Sequence, residues 1–112
     1  MFVEQVMTHN PVCVSSGDTV AAASALMRSR GIRHLLVADH GALLGILSIK
    51  DIPQFIKPQL FVFDIMTPNP VSIQASDTTD NARRLMRSHG VASLPVLRGS
   101  LLVGIVTVSD LS

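Results

Sequence analysis

Apolar positions along the chain follow two rhythms, one of period 3.6 and one of short β-like runs, and these alternate in the same order twice. In the first stretch, Val12 to Val14 reads as a short strand. Asp18 stands where an N-cap would open a helix over Thr19 to Arg30, whose apolar face is Val20, Ala23, Met27 and the neighbouring Leu26. Gly31 is the expected stop, because a helix often ends on a left-handed residue and glycine adopts that conformation without a Cβ penalty. His34 to Ala38 and Ala42 to Ser48 predict two strands joined by a tight turn at Asp39-His40-Gly41. Asp51 is expected to cap a last short helix, with Pro53 in its first turn and Pro58 ending it.

The second stretch repeats the first without gaps at an offset of 59 residues, Phe2 to Ile52 overlaying Phe61 to Leu111. Val6-Met7-Thr8-His9-Asn10-Pro11-Val12 matches Ile65-Met66-Thr67-Pro68-Asn69-Pro70-Val71, and Leu-Met-Arg-Ser at 26–29 recurs at 85–88. Gly45-Ile46-Leu47-Ser48-Ile49-Lys50-Asp51 returns as Gly104-Ile105-Val106-Thr107-Val108-Ser109-Asp110. In this copy Asp77 is the expected cap, Asp80 sits in the first turn where the helix dipole favours a carboxylate, Gly90 stops the helix and Arg98-Gly99-Ser100 turns the hairpin. Each copy is therefore β-α-β-β-α, and the chain divides into residues 1–59 and 60–112. About fifty residues cannot bury a sufficient core alone. The two copies are expected to pack sheet to sheet about a pseudo-twofold axis, an α/β (α+β) architecture with two similar sites along one cleft.

Composition narrows the function. With 112 residues, 47% hydrophobic and 15% charged, the chain is too apolar for disorder and has little charge with which to cover a surface, so some apolar surface is expected to meet a partner. Nine Lys and Arg against eight Asp and Glu leave a net charge of +1, which supplies no basic field for nucleic acid, and the absence of Trp and Tyr leaves little to stack on bases. No apolar run approaches the ~18 residues of a membrane span, and no secretory signal opens the chain. A lone Cys13 cannot form an internal disulfide, which fits a reducing cytoplasm; on its strand it reads as a small buried hydrophobe. The four histidines, His9, His34, His40 and His89, show no metal-ligand spacing. With no Gly-rich phosphate loop, catalytic carboxylate pair or Ser-His-Asp order either, catalysis is not expected. Met7, Met27, Met66 and Met86 occupy apolar positions and read as core.

Three motifs, in order and in both copies, carry a family resemblance: [Val/Ile]-Met-Thr-x-Asn-Pro-Val at the opening, Gly-[Ile/Val]-x-x-Leu-x-Val after the first helix, and Gly-x-x-[Ser/Thr]-x-x-Asp at the close. Over nearly its whole length the chain resembles the tandem CBS-domain pair, named after cystathionine β-synthase and also called the Bateman module. The resemblance implies a regulatory, non-catalytic module that requires no cofactor. Its ligand would be an adenosine-containing molecule, AMP, ADP, ATP, S-adenosylmethionine or NAD, bound in the cleft between repeats. It also implies that the closing Asp110 and Asp51 hold ribose hydroxyls, assisted by Thr107 and Ser48, and that basic residues meet phosphates.

A carboxylate suits that role because it accepts two charge-assisted hydrogen bonds from adjacent hydroxyls. An Asp at a helix start is equally an N-cap, and Gly45 and Gly104 read mainly as packing points within strands. The helix N-termini after Ser48 and Thr107 are expected to offer free N–H groups to an anion. In the family, residues at the Arg33-His34 position face the site closed by the other repeat's Asp, so the resemblance implies one site that combines Thr8, Val12, Arg33 and His34 with Thr107, Ser109 and Asp110. Its pseudo-symmetric counterpart would combine Thr67, Val71, Ala92 and Ser93 with Ser48, Lys50 and Asp51. Arg33, His34, Lys50 and Ser109 are the phosphate-side candidates, and Ile46 and Ile105 join Val12 and Val71 as aliphatic walls for adenine. The Arg33-His34 pair, where the second copy has Ala92-Ser93, leads to the expectation that the Asp110 site binds the more phosphorylated or the tighter nucleotide.

Two features concern assembly. Only Leu111 and Ser112 follow Asp110, so the last helix of the second copy is nearly absent; either the chain is part of a longer protein or a neighbour supplies that helix. Ala21, Ala22, Ala23 and Ala25 give the first helix a smooth surface, and the resemblance implies a homodimer, a flat disc of four repeats. The alternative is a structural or dimerisation module that binds no ligand; an effector is expected in either case, and nucleic acid or membrane partners are not.

Overall fold

The computed structural model describes all residues, Met1 to Ser112. Its elements are β1 (Thr8–His9), β2 (Cys13–Val14), α1 (Val20–Arg30), β3 (His34–Asp39), β4 (Ala42–Ser48), α2 (Val62–Ile65), β5 (Thr67–Pro68), β6 (Ile73–Gln74), α3 (Thr79–His89), β7 (Ser93–Arg98) and β8 (Leu101–Thr107), with single 3₁₀ turns at Val3–Gln5, Ile49–Asp51 and Ser109–Leu111. They form two compact units, one contiguous (Val12–Pro70) and one discontinuous (Met1–Pro11 with Val71–Ser112). The compact units are thus offset from the sequence repeat, each taking its opening Met-Thr segment from the other copy's sequence range.

In the contiguous unit the sheet runs β2-β3-β4-β5, with β2 parallel to β3 and the other pairs antiparallel. The discontinuous unit has the matching order β6-β7-β8-β1. In both, alternate strand residues meet the helix, as a period of two requires. Leu35, Val37 and Leu47 pack with Ala23, Met27 and Val62 in one core, and Leu94, Val96 and Val106 pack with Ala82, Met86 and Val3 in the other. Met7 and Met86 belong to the second core, Met27 to the first, and Met66 packs against the first while remaining partly accessible.

The helix stops agree with the sequence reading and the starts move by one residue. Gly31 (φ 63°) and Gly90 (φ 64°) are left-handed, and their N–H groups close back on Arg28 and Met27, and on Arg87 and Met86. The N-caps are Thr19 and Thr78, whose Oγ1 atoms each accept from the N–H three residues on at 3.1 Å. Asp18 and Asp77 are engaged elsewhere: Asp18 accepts the Ser15 N–H at 2.9 Å, and Asp77 accepts from the Thr78 N–H and the Asn81 side chain, both at 2.7 Å. The first hairpin turns on His40 (φ 52°) and Gly41 (φ 83°), the two positive angles of a type I′ turn.

The helix expected after Asp51 does not form. The chain makes one 3₁₀ turn, Ile49–Asp51, and then Ile52 is extended (φ −81°, ψ 123°), the conformation that a following proline imposes by clashing with an α-region neighbour. The next helix is the single turn α2, which carries Val62 into the core. Two further elements had no counterpart in the expected β-α-β-β-α unit: β1 pairs with β8, and β5 pairs with β4. Ala23 is buried beneath α1, so the smooth surface of that helix consists of Ala21, Ala22 and Ala25.

Candidate functional site

The repeated Ser/Thr-x-x-Asp closes each unit at the end of its longest strand. In the discontinuous unit the Val108 N–H reaches the Ala92 carbonyl at 3.0 Å, and the chain then turns through Ser109–Leu111. Asp110 Oδ2 accepts from the Thr107 N–H at 2.8 Å and from the Thr107 hydroxyl at 3.1 Å, while the Asp110 N–H donates to Thr107 Oγ1 at 3.3 Å. One carboxylate oxygen is therefore fixed, and Oδ1 has no hydrogen-bond partner within the unit. Ser93 stands opposite Thr107, Pro95 opposite Ile105, and Thr8 opposite Ile105 on the other side. Pleating turns these residues away from α3, so Thr8, Ser93, Ile105 and Thr107 share the sheet face that the helix does not cover. Val71 packs half-buried against the core of this unit.

The contiguous unit repeats the arrangement with different chemistry. Ile49 N–H donates to the Arg33 carbonyl at 2.9 Å, His34 is opposite Ser48, and Thr67 is opposite Ile46. Asp51 Oδ2 accepts the Ser48 N–H at 3.2 Å, and Ser48 Oγ accepts the Lys50 N–H at 3.3 Å. Arg33, His34 and Lys50 are all exposed at this strand end, and the chain's ion pairs, Arg83–Asp80 and Arg98–Glu4, involve none of them. At the equivalent positions the discontinuous unit has Ala92, Ser93 and Ser109. Val12 packs against the core of the contiguous unit, and Arg33 and His34 also lie in this unit, whereas Thr8 lies with Thr107, Ser109 and Asp110.

Two expectations are corrected by this geometry and a third holds. Most of the N–H groups expected to await an anion after Ser48 and Thr107 are already taken within single 3₁₀ turns: those of Ile49 and Val108 by the Arg33 and Ala92 carbonyls, and those of Lys50 and Asp110 by the Ser48 and Thr107 hydroxyls. Cys13 is exposed rather than buried. The glycines have a definite packing function: a Cβ on Gly104 would stand 2.8 Å from the Thr8 carbonyl oxygen, and one on Gly45 would stand 2.7 Å from that of Thr67. The Met-Thr segment of one motif therefore crosses directly over the glycine of another, an approach that only a residue without a side chain permits.

The family model for the CBS domain matches residues 3–57 and 62–112. The chain belongs to the CBS-domain family. Among solved structures, this CBS pair is similar to CBSX2 of Arabidopsis thaliana in complex with AMP, at a TM-score of 0.87 and 25% identity over 98% of this chain and 92% of that one. It is also similar to the CBS-domain pair of MJ0100 in complex with 5′-methylthioadenosine and S-adenosyl-L-methionine, with a TM-score of 0.83 and 26% identity over 98% and 91% of the two chains. A homoserine O-acetyltransferase of Methanocorpusculum labreanum is 34% identical over 115 residues, spanning 100% of this chain and 24% of that protein. The CBS pair thus spans about a quarter of the length of the enzyme relatives it matches first. None of its helices is long and apolar enough to cross a membrane.

Proposed function

We propose that this CBS pair is a non-catalytic sensor that binds an adenosine-containing ligand through the ribose hydroxyls and regulates an attached or associated effector. The observation that carries the reading is the Asp110 carboxylate, with one oxygen held by Thr107 and the other without a partner in its unit. A vicinal diol donates two hydrogen bonds, and a carboxylate whose orientation is already fixed receives them with little ordering cost. Asp51 repeats the arrangement with a looser hold, one carboxylate oxygen accepting the Ser48 N–H alone. Arg33, His34 and Lys50 are the cations available to phosphate groups, and Thr8, Thr67, Ile46, Ile105 and Ser93 offer polar and aliphatic contacts on the sheet faces turned away from α1 and α3. The AMP bound to CBSX2 and the S-adenosyl-L-methionine bound to MJ0100 support adenosine as the common element. The enzyme relatives, of which this chain matches only a part, support an effector as the destination of the signal. The exposed Ala21, Ala22 and Ala25 of α1 support assembly as a homodimer.

Calorimetry with AMP, ADP and ATP tests the reading. Binding should be strongest in the wild type and lost or weakened at least tenfold in Asp110→Ala, with a smaller loss in Asp51→Ala. Loss confined to Asp51→Ala would reverse the assignment of the principal site. Absence of binding by all three nucleotides and by S-adenosylmethionine would leave a dimerisation module as the function.

A further inference from the structure

Arg83 ties helix α3 to the turn that carries Asp110. Its guanidinium donates from Nη2 to the Leu111 carbonyl at 2.6 Å and from Nη1 to Asp80 Oδ1 at 2.9 Å. Leu111 directly follows Asp110 and its side chain is buried in the core of the discontinuous unit. The turn is therefore fastened three times: by Thr107 on the Asp110 carboxylate, by the core on the Leu111 side chain, and by Arg83 on the Leu111 carbonyl.

The other copy lacks this fastening. The residue equivalent to Arg83 is Ser24 and that equivalent to Asp80 is Ala21, and no side chain of α1 bonds to the turn after Ser48. There Asp51 is exposed and its carboxylate keeps one hydrogen bond, at 3.2 Å, whereas Asp110 is partly buried and its carboxylate accepts two, at 2.8 and 3.1 Å. A guanidinium bound at two points is well suited to such a clamp, because its planar fork loses little freedom for each bond it makes.

We propose that Arg83, held in place by Asp80, is a positioning residue for the Asp110 carboxylate, and that it makes the Asp110 turn the pre-organised ligand site while the Asp51 turn must order on binding. The proposal rests on the ribose reading given above. Pre-organisation raises affinity by removing the ordering cost from the binding step, so the clamp acts on affinity without touching ligand.

The test is the full chain carrying Arg83→Ser, the residue of the other copy, alongside Asp80→Ala and Arg83→Lys. Amide hydrogen exchange at Thr107, whose N–H donates to Asp110, is read against Ser48 as an internal control, and AMP binding is measured by calorimetry in the Asp51→Ala background. Arg83→Ser should accelerate exchange at Thr107 but not at Ser48 and weaken AMP about tenfold. Asp80→Ala should give a smaller change in the same direction, and Arg83→Lys, which keeps one donor, should restore part of the loss. Unchanged exchange at Thr107 would overturn the proposal, as would faster exchange with AMP affinity intact in a protein where Asp110→Ala abolishes binding. Faster exchange in a protein whose AMP binding ignores Asp110→Ala would overturn the ribose reading instead and leave the clamp standing.

Discussion

Met7 Sδ lies 2.6 Å from the point where a Cβ on Gly104 would stand, and Met66 Sδ lies 2.8 Å from the equivalent point on Gly45. The thioether could swing aside, since methionine is flexible, but the backbone carbonyls of Thr8 and Thr67 are equally close and cannot. Gly104→Ala and Gly45→Ala should therefore each destabilise their unit by roughly 1–3 kcal/mol, the usual range for overpacking a filled core. Adding Met7→Ala to Gly104→Ala should not restore stability, because the Thr8 carbonyl still blocks the methyl group. Thermal unfolding of the single and double variants checks this, and a wild-type Tm in Gly104→Ala would refute it.

Gly31 and Gly90 obey a different rule. Nothing lies within 4 Å of a Cβ built on either, so only their left-handed backbone resists substitution. Alanine at these positions should cost about 1 kcal/mol, and asparagine less, since it tolerates the left-handed region; Asn10 and Asn69 adopt it here with φ of 51°. Measured by denaturant unfolding, Gly90→Asn should recover part of the loss in Gly90→Ala, whereas Gly104→Asn should be worse than Gly104→Ala.

These two classes of glycine show what the sequence makes legible. Gly31 and Gly90 follow a helical period and read as stops from local pattern alone, as do the hairpins and the buried faces of α1 and α3. Strands β1 and β5 are only two residues long, and their pairing with residues far along the chain gives them meaning that no local rhythm carries. The caps shift by one because Asp18-Thr19 and Asp77-Thr78 each offer two competent side chains, and the competing hydrogen bonds of the aspartates decide between them. Pro53 suits the first turn of a helix by its own geometry, yet its effect on Ile52 ends the turn at once. At the candidate site the motif residues were visible as a repeat, but the Arg83 clamp was not, because Arg83 and Leu111 are 28 positions apart with no spacing to connect them.

Asp39 links acid stability to one loop. Its carboxylate accepts from the Ser16 hydroxyl at 2.5 Å and the Ser16 N–H at 2.9 Å, and these bonds hold its pKa below the ordinary carboxylate value. A depressed folded-state pKa contributes stability that is complete above the unfolded value near 4 and disappears as pH falls through the lower folded value. Wild-type protein should therefore lose stability relative to Asp39→Asn as pH falls below about 5. Ser16→Ala should flatten that difference, since only the backbone bond remains. Urea unfolding across this range measures both, and parallel curves for wild type and Asp39→Asn would remove Asp39 as the cause.

The charge contrast between the copies makes a prediction about ligand phosphates. Arg33, His34 and Lys50 are exposed and unpaired at one strand end, where the other copy has Ala92, Ser93 and Ser109. A hydrogen bond to a charged group is worth more than a neutral one, but water screens an exposed partner, so each cation should change nucleotide affinity by about three- to tenfold rather than abolish binding. Arg33→Ala and Lys50→Ala should weaken ATP more than AMP and leave adenosine unchanged, and the deficit should shrink as salt rises from 50 to 500 mM because ionic screening already weakens the wild type. Equal loss for adenosine and ATP would mean that the side chains support the fold of the site and do not read phosphate. Losses that persist undiminished at high salt would place them in a desolvated contact, at odds with their exposure in this structure.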